Sequence, residues 1–439
     1  MKSTLLLLSL FLCHICTVSA QTDTVGYHIS MTDSVWQLHE VEVVARKKAP
    51  LLQVTPSGTW NISSESMKHI PQFLGDTDPM KVFQLLPGIV NGGELNGGIY
   101  IRGSEPGHNL TTMDGATIYN PSHLLGLFSV FNNDHFSDFT LQKSYLPASQ
   151  GGRLAGYMEM HPREELLQKP EVSGSAGILA SRITAGFPLT SKASLYLSAR
   201  VTYVRLMEGG MEENTTLRYD FQDYNATYVY QPSEKDKIVV NAYGGRDLLK
   251  MEEYQYQVDA HLKWLNVAGS ARWNHQFTPK SRMTHRMYGS HYQTTLDARQ
   301  NTYDIALPSR ITEGGYKGEV CLDFGRLSLQ TGVEASLYSL SPQYPETHNL
   351  FEGINLYRPK DYHVLTTAAF AEVTHRWKEW TFNAGLRYNG SYHSSYRNGH
   401  VDPRLQASYS LKKGGKMSAS FIVAHQYKSD NGIHRRVSP

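Results

Sequence analysis

The sequence predicts a small α+β domain followed by an antiparallel transmembrane β-barrel, of which about 12–13 strands are present. Three observations lead to this prediction. Glycine-anchored turns recur between Ile99 and Met160, long alternating runs follow Pro162, and short and long connections alternate between those runs. Tight turns between short β-branched or aromatic segments are typical of a small strand-rich domain, whereas long alternating runs are typical of a barrel wall.

Composition fits this division and excludes other classes. At 439 residues the chain exceeds a typical single core, which favours at least two domains. The 42 basic and 40 acidic residues balance, so no nucleic-acid-binding surface is expected. Twenty-seven tyrosines combined with a mean hydropathy of −0.41 suit a barrel, whose lipid-facing residues occupy only every second position.

The chain begins with an export signal. Lys2 precedes an apolar run at 5–16 that is too short to span a bilayer as a helix, and small residues around Ala20 form a cleavage site. We therefore assign residues 1–20 to a signal peptide and residues 21–38 to a flexible lead. Of the three cysteines, only Cys321 remains after cleavage, so the mature chain is predicted to have no internal disulfide.

Two short helices are predicted before the glycine series. Ser63 or Ser64 can cap the first. The second begins at about Asp78, with Pro79 in its first turn, and ends at Pro87-Gly88.

The glycine series itself carries a resemblance to a known family. It reads Ile101-Arg102-Gly103, Met113-Asp114-Gly115-Ala116, Tyr119-Asn120 and Gly151-Gly152-Arg153-Leu154-Ala155-Gly156. Preceded by Leu86-Pro87-Gly88, this order and spacing resemble the plug domain of TonB-dependent outer-membrane receptors. Met113 is a mild departure, since relatives often have an aliphatic residue before Asp-Gly. The resemblance covers roughly residues 38–162, and we predict a plug at 39–165 and a partial barrel at 166–439.

The resemblance also implies an energy-coupling segment before the plug. In this chain it corresponds to Glu40, Val41, Glu42, Val43, Val44 and Ala45. An exposed extended segment can add as a strand to the sheet of a periplasmic TonB-type partner. An ordinary first plug strand is an equally open interpretation of these residues.

Seven residues of the series are predicted to shape or latch the plug. We expect Arg102, next to Gly103, to pair with a wall carboxylate. We expect Asp114-Gly115 to form a tight turn in which Asp114 supports its own backbone. Gly151-Gly152 should bend the chain toward the wall, so that Arg153 pairs across the seam. Solute contact, which such receptors make through apex and outer loops, is expected from Tyr119, Asn120 and His123.

Alternation after Pro162 predicts the wall. Apolar and polar residues alternate in the runs 193–203, 327–337, 380–389 and 416–423. A soluble sandwich also alternates, but its strands average about 5–6 residues, whereas spanning strands need about 9–11. The runs have the greater length. Short turns near 191, 233, 280, 325, 379 and 414 alternate with longer polar segments at 205–219, 247–257, 299–313, 340–363 and 393–400.

Counting gives about twelve strands, or thirteen if 172–188 forms two with a tight link near Leu179-Ala180. A plugged transporter has about 22 strands, and a smaller lumen cannot hold a plug domain. The last residues, 432–439, also lack the aromatic end of a final barrel strand. We therefore interpret the chain as a truncated form that lacks the second half of the wall.

No catalytic or metal-binding pattern is present in the sequence. The 19 histidines are scattered without ligand spacing, and no Gly-x-Ser-x-Gly elbow occurs. We expect no enzyme activity, no cofactor and no metal site.

The resemblance implies a receptor of the cell outer membrane that binds a scarce solute and imports it with energy from the TonB system. Its expected partners are outer-membrane lipid, a TonB-type protein and a siderophore, cobalamin, oligosaccharide or peptide, without nucleic acid and as a monomeric barrel. The alternatives are a non-transporting surface or structural barrel, an adhesin, or a non-functional truncated form.

Overall fold

Two sheets dominate the molecule. The computed structural model describes residues 53–55, 58–70, 78–92, 98–123, 126–202, 215–301, 303–348, 361–411 and 415–426. Within these ranges, the first part of the chain forms a six-stranded sheet and the second a fourteen-stranded sheet. We call the described residues of 53–170 the plug and those of 171–426 the wall.

The plug consists of short elements joined by turns. In chain order they are β1 (Gln53–Val54), β2 (Thr59–Ser63), α1 (Ser64–Met67), α2 (Pro79–Gln84), β3 (Ile89–Asn91), β4 (Ile99–Ile101), a 3-10 turn (Pro106–His108), β5 (Leu110–Met113), β6 (Ala116–Thr117), β7 (Ser122–His123), β8 (Phe128–Ser129), β9 (Phe136–Gln142) and β10 (Tyr157–Pro162).

Both plug helices begin at a side-chain cap. Ser63 Oγ accepts a backbone amide of the first turn of α1 at 3.1 Å. The carboxylate of Asp78 accepts two amides of α2, at 2.8 and 3.4 Å, and Pro79 lies in the first turn, where no amide is needed. Gly88, at φ +77°, follows the second helix. The two predicted helices and their caps are confirmed.

The plug sheet has the order β1-β2-β9-β10-β5-β6, in which only β10 and β5 run parallel. Its core is aromatic: Phe83 of α2 and Phe139 of β9 have no exposed surface, and Phe131 packs edge-on against Phe136 with ring centroids 6.1 Å apart. The rings pack with buried isoleucine, leucine, valine and methionine side chains, and burial of the whole set stabilises the domain.

The wall consists of long antiparallel strands. They are β11 (Glu171–Ala176), β12 (Ala180–Thr190), β13 (Ala193–Thr202), β14 (Thr215–Tyr230), β15 (Asp236–Glu253), β16 (Val258–Thr278), β17 (Ser281–Gln300), β18 (Tyr303–Asp323), β19 (Leu327–Ser341), β20 (Glu346–His348), β21 (Tyr362–Trp377), β22 (Trp380–His393), β23 (Tyr396–Ser410) and β24 (Lys416–Ile422). Thirteen pair in sequence from β11 to β24, and β20 pairs with β18.

In the wall, apolar side chains face outward and polar side chains face the plug, as expected for a barrel in a membrane. In β13, Leu197 is 41% exposed on the outer side, whereas Ser198 and Arg200 are buried against the plug. A soluble sandwich would bury the leucine and expose the arginine. The outside of the wall is therefore the apolar face, as in outer-membrane barrels.

Aromatic side chains gather on the outside near the short connections. Trp273 and Phe277 precede the connection at 279–280, and Trp377 and Trp380 flank the one at 378–379. All four are at least 38% exposed. A row of exposed aromatic rings in this position, three of them amphipathic tryptophans, marks the level of the lipid headgroups.

The strand count is confirmed, whereas the extent of the loops was wrong. The segment 172–188 does form two strands, linked at 177–179, which gives the thirteen-strand path. The segments 247–257, 299–313 and 393–400, expected as long polar loops, are mostly strand. Pairing continues to Glu253–Val258, Gln300–Tyr303 and His393–Tyr396, because polar residues extend the ladder beyond the apolar band.

In the described part of the chain, β11 pairs only with β12 and β24 only with β23, so no closed barrel is formed. The last strand of the plug ends at Pro162 and the first strand of the wall begins at Glu171, and the boundary at 165/166 stays a prediction. The segment 432–439 lies outside the described residues. Among those described, no helix is both long and apolar enough to cross a bilayer.

Candidate functional site

Two turns of the glycine series have nearly the same backbone. Arg102 and Gly103 have φ values of 54° and 78°, and Asp114 and Gly115 have values of 44° and 82°. Two successive residues with positive φ define the type I′ turn, which suits a hairpin twist and favours glycine at its second position. The Asp114-Gly115 turn joins β5 to β6, as predicted.

Asp114 faces the wall. Its carboxylate is fully buried and accepts hydrogen bonds from Asn241 Nδ2 at 2.8 Å, Ser270 Oγ at 2.9 Å, Arg272 Nε at 2.8 Å and Arg286 at 3.3 Å. These donors come from three neighbouring strands, β15, β16 and β17. The expectation that Asp114 supports its own backbone is therefore corrected: four wall donors satisfy the carboxylate, and the turn depends on Gly115.

Gly115 has a second reason to be glycine. A Cβ at this position would collide with the side chain of Arg286, which crosses the turn to reach Asp114. The positive φ and the close approach of the arginine both exclude a side chain there.

The predicted partner of Arg102 was wrong. Its guanidinium is exposed and donates to Ser144 Oγ at 3.0 Å, within the plug, rather than to a wall carboxylate. The reason lies in the turn, which points its first side chain to the surface of the plug. A Cβ at Gly103 would meet no atom within 4 Å, so only the positive φ of this residue requires glycine.

The wall also clasps the plug segment 145–151. Arg404 donates to the carbonyl oxygens of Leu146, Pro147 and Gln150. Glu372 accepts from the amide of Ala148 at 2.6 Å. Charged side chains bonded to backbone groups fix both the position and the direction of a segment.

Two further wall cations complete this clasp. Arg387 donates to the carbonyls of Ala148 and Ser149, and Lys317 Nζ donates to Ser149 at 2.8 Å. A Cβ at Gly151 would meet the guanidinium of Arg387, so Gly151 permits the close approach to the wall.

Gly152 and Arg153 follow this segment. Gly152 has φ +75°. Arg153 is buried, and its charge interacts with the hydroxyl of Tyr119. Pairing of Arg153 across the seam stays a prediction.

A cavity of about 930 Å³ lies between the plug and the wall. On the plug side it is lined by the turn 119–122 and by the segment 105–109. On the wall side it is lined by Leu262, Trp264, Tyr292 and Thr294, which lie in the halves of β16 and β17 opposite the short connection at 279–280. Its size falls within the range of about 300–1,000 Å³ that is typical of small-molecule sites.

Two of the three residues expected to contact solute line this cavity. Tyr119 donates its hydroxyl to Glu313 of the wall at 2.6 Å, and the carbonyl of Asn120 accepts from Asn266 at 3.0 Å. His123 does not line it. Only 1% of the His123 side chain is exposed, because the ring lies behind the turn, between two wall carboxylates.

The surroundings of His123 are dense in charge. Nε2 lies 2.6 Å from Asp223, Nδ1 lies 2.9 Å from Asp247, and the ring stacks on Phe221 at 4.2 Å. Burial opposes a charge on the imidazole, but the two carboxylates and their hydrogen bonds outweigh it and raise the pKa of His123 to about 9. His123 is therefore a cation in neutral solution.

Sequence reasoning did not find the wall residues that hold the plug. Asp223, Asp247, Arg272, Arg387 and Arg404 lie at inward positions of long strands. Their signal was available in principle, since a charged residue on the inward face of an alternating run must find a partner in the lumen. Which partner it finds depends on how the plug is oriented, and alternation carries no information about that.

The remaining expectations concern metals and energy coupling. No group of three or more metal-ligating side chains gathers among the described residues, and Cys321 of β18 is a free thiol. The predicted coupling residues, Glu40 to Ala45, lie outside the described part of the chain.

A long antiparallel wall that packs against a small mixed domain and holds it through inward polar groups is the arrangement of plugged outer-membrane barrels. No family model and no curated protein matches the chain. Solved structures do match. The copper transporter OprC gives a TM-score of 0.61 at 14% identity, over 84% of this chain and 63% of that one.

Two further structures agree. A variant of the ferric enterobactin receptor PfeA from Pseudomonas aeruginosa gives 0.62 at 13% identity, over 87% of this chain and 63% of that one. The outer membrane transporter YddB from Escherichia coli gives 0.63 at 11% identity, over 85% and 62%. The chain has the fold of TonB-dependent outer-membrane receptors, and it spans about 63% of the length of these relatives.

Proposed function

We propose that the protein acts in the outer membrane as a receptor that binds a scarce solute and imports it with energy from a TonB-type partner. The fold supports this at the level of the class, since its structural neighbours include a copper transporter and a ferric enterobactin receptor. The activity requires no bond to be made or broken in the solute, so we propose a transporter rather than an enzyme.

The observation that carries the proposal is the cavity between plug and wall. A barrel that served only as a structural element would gain nothing from a solute-sized space at the seam. The wall residues around the cavity lie toward the end of the strands opposite the aromatic rows of the short connections. Because short turns face the periplasm in outer-membrane barrels, the cavity lies on the outer side in our proposal.

The lining suits recognition by hydrogen bonds and ring contacts. Tyr100, Tyr119, Trp264 and Tyr292 present aromatic surface, and Asn109 and Asn120 present amides. Among the described lining residues, Glu105 and Arg153 contribute one formal charge of each sign. This balance does not concentrate either sign of charge, so siderophore, cobalamin, oligosaccharide and peptide all stay candidate solutes.

The seam suits a plug that must move. Charged side chains hold the plug at Asp114, at His123 and along 145–151. Apolar contacts also cross the seam, where Phe128 of the plug packs with Tyr219, Phe221 and Trp264 of the wall. The charged contacts can be exchanged for water when the plug shifts. Pulling on the segment before the plug, which we propose to be Glu40 to Ala45, would then release it.

An uptake assay tests the proposal. Cells that express the full protein would be given four labelled probes: a ferric catecholate siderophore, cobalamin, a malto-oligosaccharide and an oligopeptide. We expect one probe to bind at the surface and to accumulate inside. Deletion of residues 40–45 should abolish accumulation without reducing surface binding, and an equal deletion of 25–30 in the lead serves as the length control.

Each outcome has a distinct meaning. Accumulation that survives deletion of 40–45 would remove our assignment of the coupling segment. Surface binding without accumulation in the intact protein would contradict transport and would favour a non-transporting surface barrel. Trp264→Ala should weaken binding of the probe that is recognised, and Trp273→Ala, on the lipid side of the same strand, is its matched control.

A further inference from the structure

The hairpin of β7 and β8 is fixed to the wall through both of its strands. His123 of β7 lies between Asp223 and Asp247. Arg200 of β13 donates to the carbonyl of Ser129 in β8 and pairs with Asp223 at 2.6 Å. One buried cluster of four charged groups therefore holds both strands of the hairpin at a single place on the wall.

The same hairpin forms part of the cavity. The residues Tyr119 to Ser122 line it, and His123 is the next residue in the chain. The last residue of the cavity-lining turn, Ser122, is therefore joined directly to His123 by one peptide bond. Any displacement of the turn by a solute must therefore move or strain the contacts of His123.

A second connection runs through the wall. Trp264 lines the cavity and packs against Tyr219, with ring centroids 6.3 Å apart. Tyr219 donates its hydroxyl to Asp247, which is one of the two carboxylates at His123. The cavity and the cluster thus share contacts along the plug chain and across the wall.

We propose that His123, Asp223, Asp247 and Arg200 form a latch that positions the cavity-lining turn 119–122, so that solute in the cavity and closure of the latch influence each other. His123 is a positioning residue in this scheme, since it does not touch the cavity. The link to solute rests on the proposed function, whereas the latch itself does not.

The charges of the cluster determine how closure of the latch depends on pH. Two carboxylates face one guanidinium and one imidazolium, and the remaining neighbours, the hydroxyls of Tyr219 and Tyr243, donate to Asp247 and Asp223. The cluster is neutral only while His123 is protonated. The raised pKa of about 9 means that the latch is fully closed below about pH 6.5 and is lost as the pH rises through 9.

A spin label on the turn tests the latch without any solute. The label would be attached to Ser122→Cys in a Cys321→Ser background of the full protein in lipid bilayers, with Leu85→Cys as the control on an exposed plug position. We expect the label at 122 to be immobile near pH 7 and to become mobile in a transition centred at about pH 9. A label at 122 that stays immobile up to about pH 10.5, in a barrel that remains folded, would overturn the latch.

Substitutions sharpen the result. Asp247→Asn should move the midpoint down by about one pH unit or more, because it removes one of the two carboxylates that favour the imidazolium. His123→Gln should abolish the transition, whereas a midpoint unchanged in both variants would contradict the assignment to His123. If either variant fails to assemble, the titration of the parent protein still decides the question.

Coupling to the cavity is tested separately. Thr294 faces the cavity opposite Trp264, so Thr294→Trp should fill the space, and Thr294→Ser keeps it open. We expect the two variants to differ in midpoint by about half a pH unit or more. Equal midpoints would overturn the coupling. Neither result depends on transport, so failure of uptake and failure of the latch are distinguishable.

Discussion

The turns at Arg102-Gly103 and Asp114-Gly115 share a backbone conformation and differ in everything around it. At the first, an exposed guanidinium reaches a serine of the plug, and open space surrounds the glycine. At the second, a carboxylate without exposed surface is held by four donors from the wall, and an arginine covers the glycine. The shared geometry follows from local sequence, and the difference follows from which side of the plug each turn occupies.

This comparison separates two kinds of motif residue. A turn that faces outward along the plug needs its glycine for φ alone. A turn that faces the wall needs it also for the approach of a partner, and its polar residue becomes part of the seam. Substitutions at the two turns should therefore have unequal effects, in an order that the contacts define.

The largest effect is expected at Asp114. Asp114→Ala leaves Arg272 and Arg286 buried without the carboxylate they share, which should lower the free energy of unfolding of the plug by about 3 kcal/mol. Calorimetry of the protein in detergent would measure it. Asp138→Ala, at a half-buried plug carboxylate, is the control and should cost less than about 1 kcal/mol. Equal losses at both positions would contradict a special role for the wall-facing turn.

A second seam residue extends the comparison to pH. His135 lies in the plug against Thr227 of the wall, at 2.9 Å, and burial together with the charge of Arg163 lowers its pKa to about 3. The unfolded chain takes up this proton first, so stability should fall as the pH drops below about 6.5, with a slope of up to about 1.4 kcal/mol per pH unit.

This pH dependence has the opposite sign to that of His123, whose contribution to stability is lost as the pH rises through about 9. Urea denaturation of the parent protein and of His135→Gln between about pH 4 and pH 7 would measure the slope. If the free energy of unfolding had the same pH dependence in both proteins, His135 would not be the source of the slope.

Substitution of the glycines in the two turns should reduce stability by a smaller amount, and the two losses can be compared directly. Gly103→Ala should cost about 1–2 kcal/mol, the strain of a left-handed alanine. Gly115→Ala should cost about 1 kcal/mol more than Gly103→Ala, since the added methyl group meets Arg286. Thermal unfolding of the two variants would test the difference. If they unfolded together, Arg286 would have to move aside without loss.

The smallest effect is expected at Arg102. Arg102→Ala removes an exposed hydrogen bond to Ser144 and should change stability by less than about 0.5 kcal/mol. Resistance of the plug to limited proteolysis is a sensitive readout. A marked increase in cleavage would contradict the minor role that an exposed hydrogen bond gives to Arg102.

The sequence predicts those features that depend on residues close together in the chain. The caps at Ser63 and Asp78 and the turn at Asp114-Gly115 follow from local backbone chemistry, and the thirteen-strand path follows from period-two alternation. The partner of Asp114 could not be predicted in this way, because Arg272 lies in another sheet and the orientation of the plug decides their meeting.

The error at His123 has the same origin. A histidine three residues after Tyr119-Asn120 belongs to the same turn, and sequence alone suggests the same environment for all of them. The turn, however, ends at the wall, where Asp223 and Asp247 bury the ring. Two of the three positions line the cavity and the third stands behind it, and only the register of β14 and β15 against the plug separates them.

The long strands of the wall have a consequence for what meets the protein from outside. β16 and β18 contain 21 residues each, and about 9–11 suffice to cross the hydrocarbon layer. In the proposed orientation, about half of each strand stands above the lipid as a hydrogen-bonded sheet. Antibodies or phages would therefore encounter a folded surface formed by several strands at once. Their recognition of it would disappear when the chain is unfolded, although every residue of the epitope would still be present.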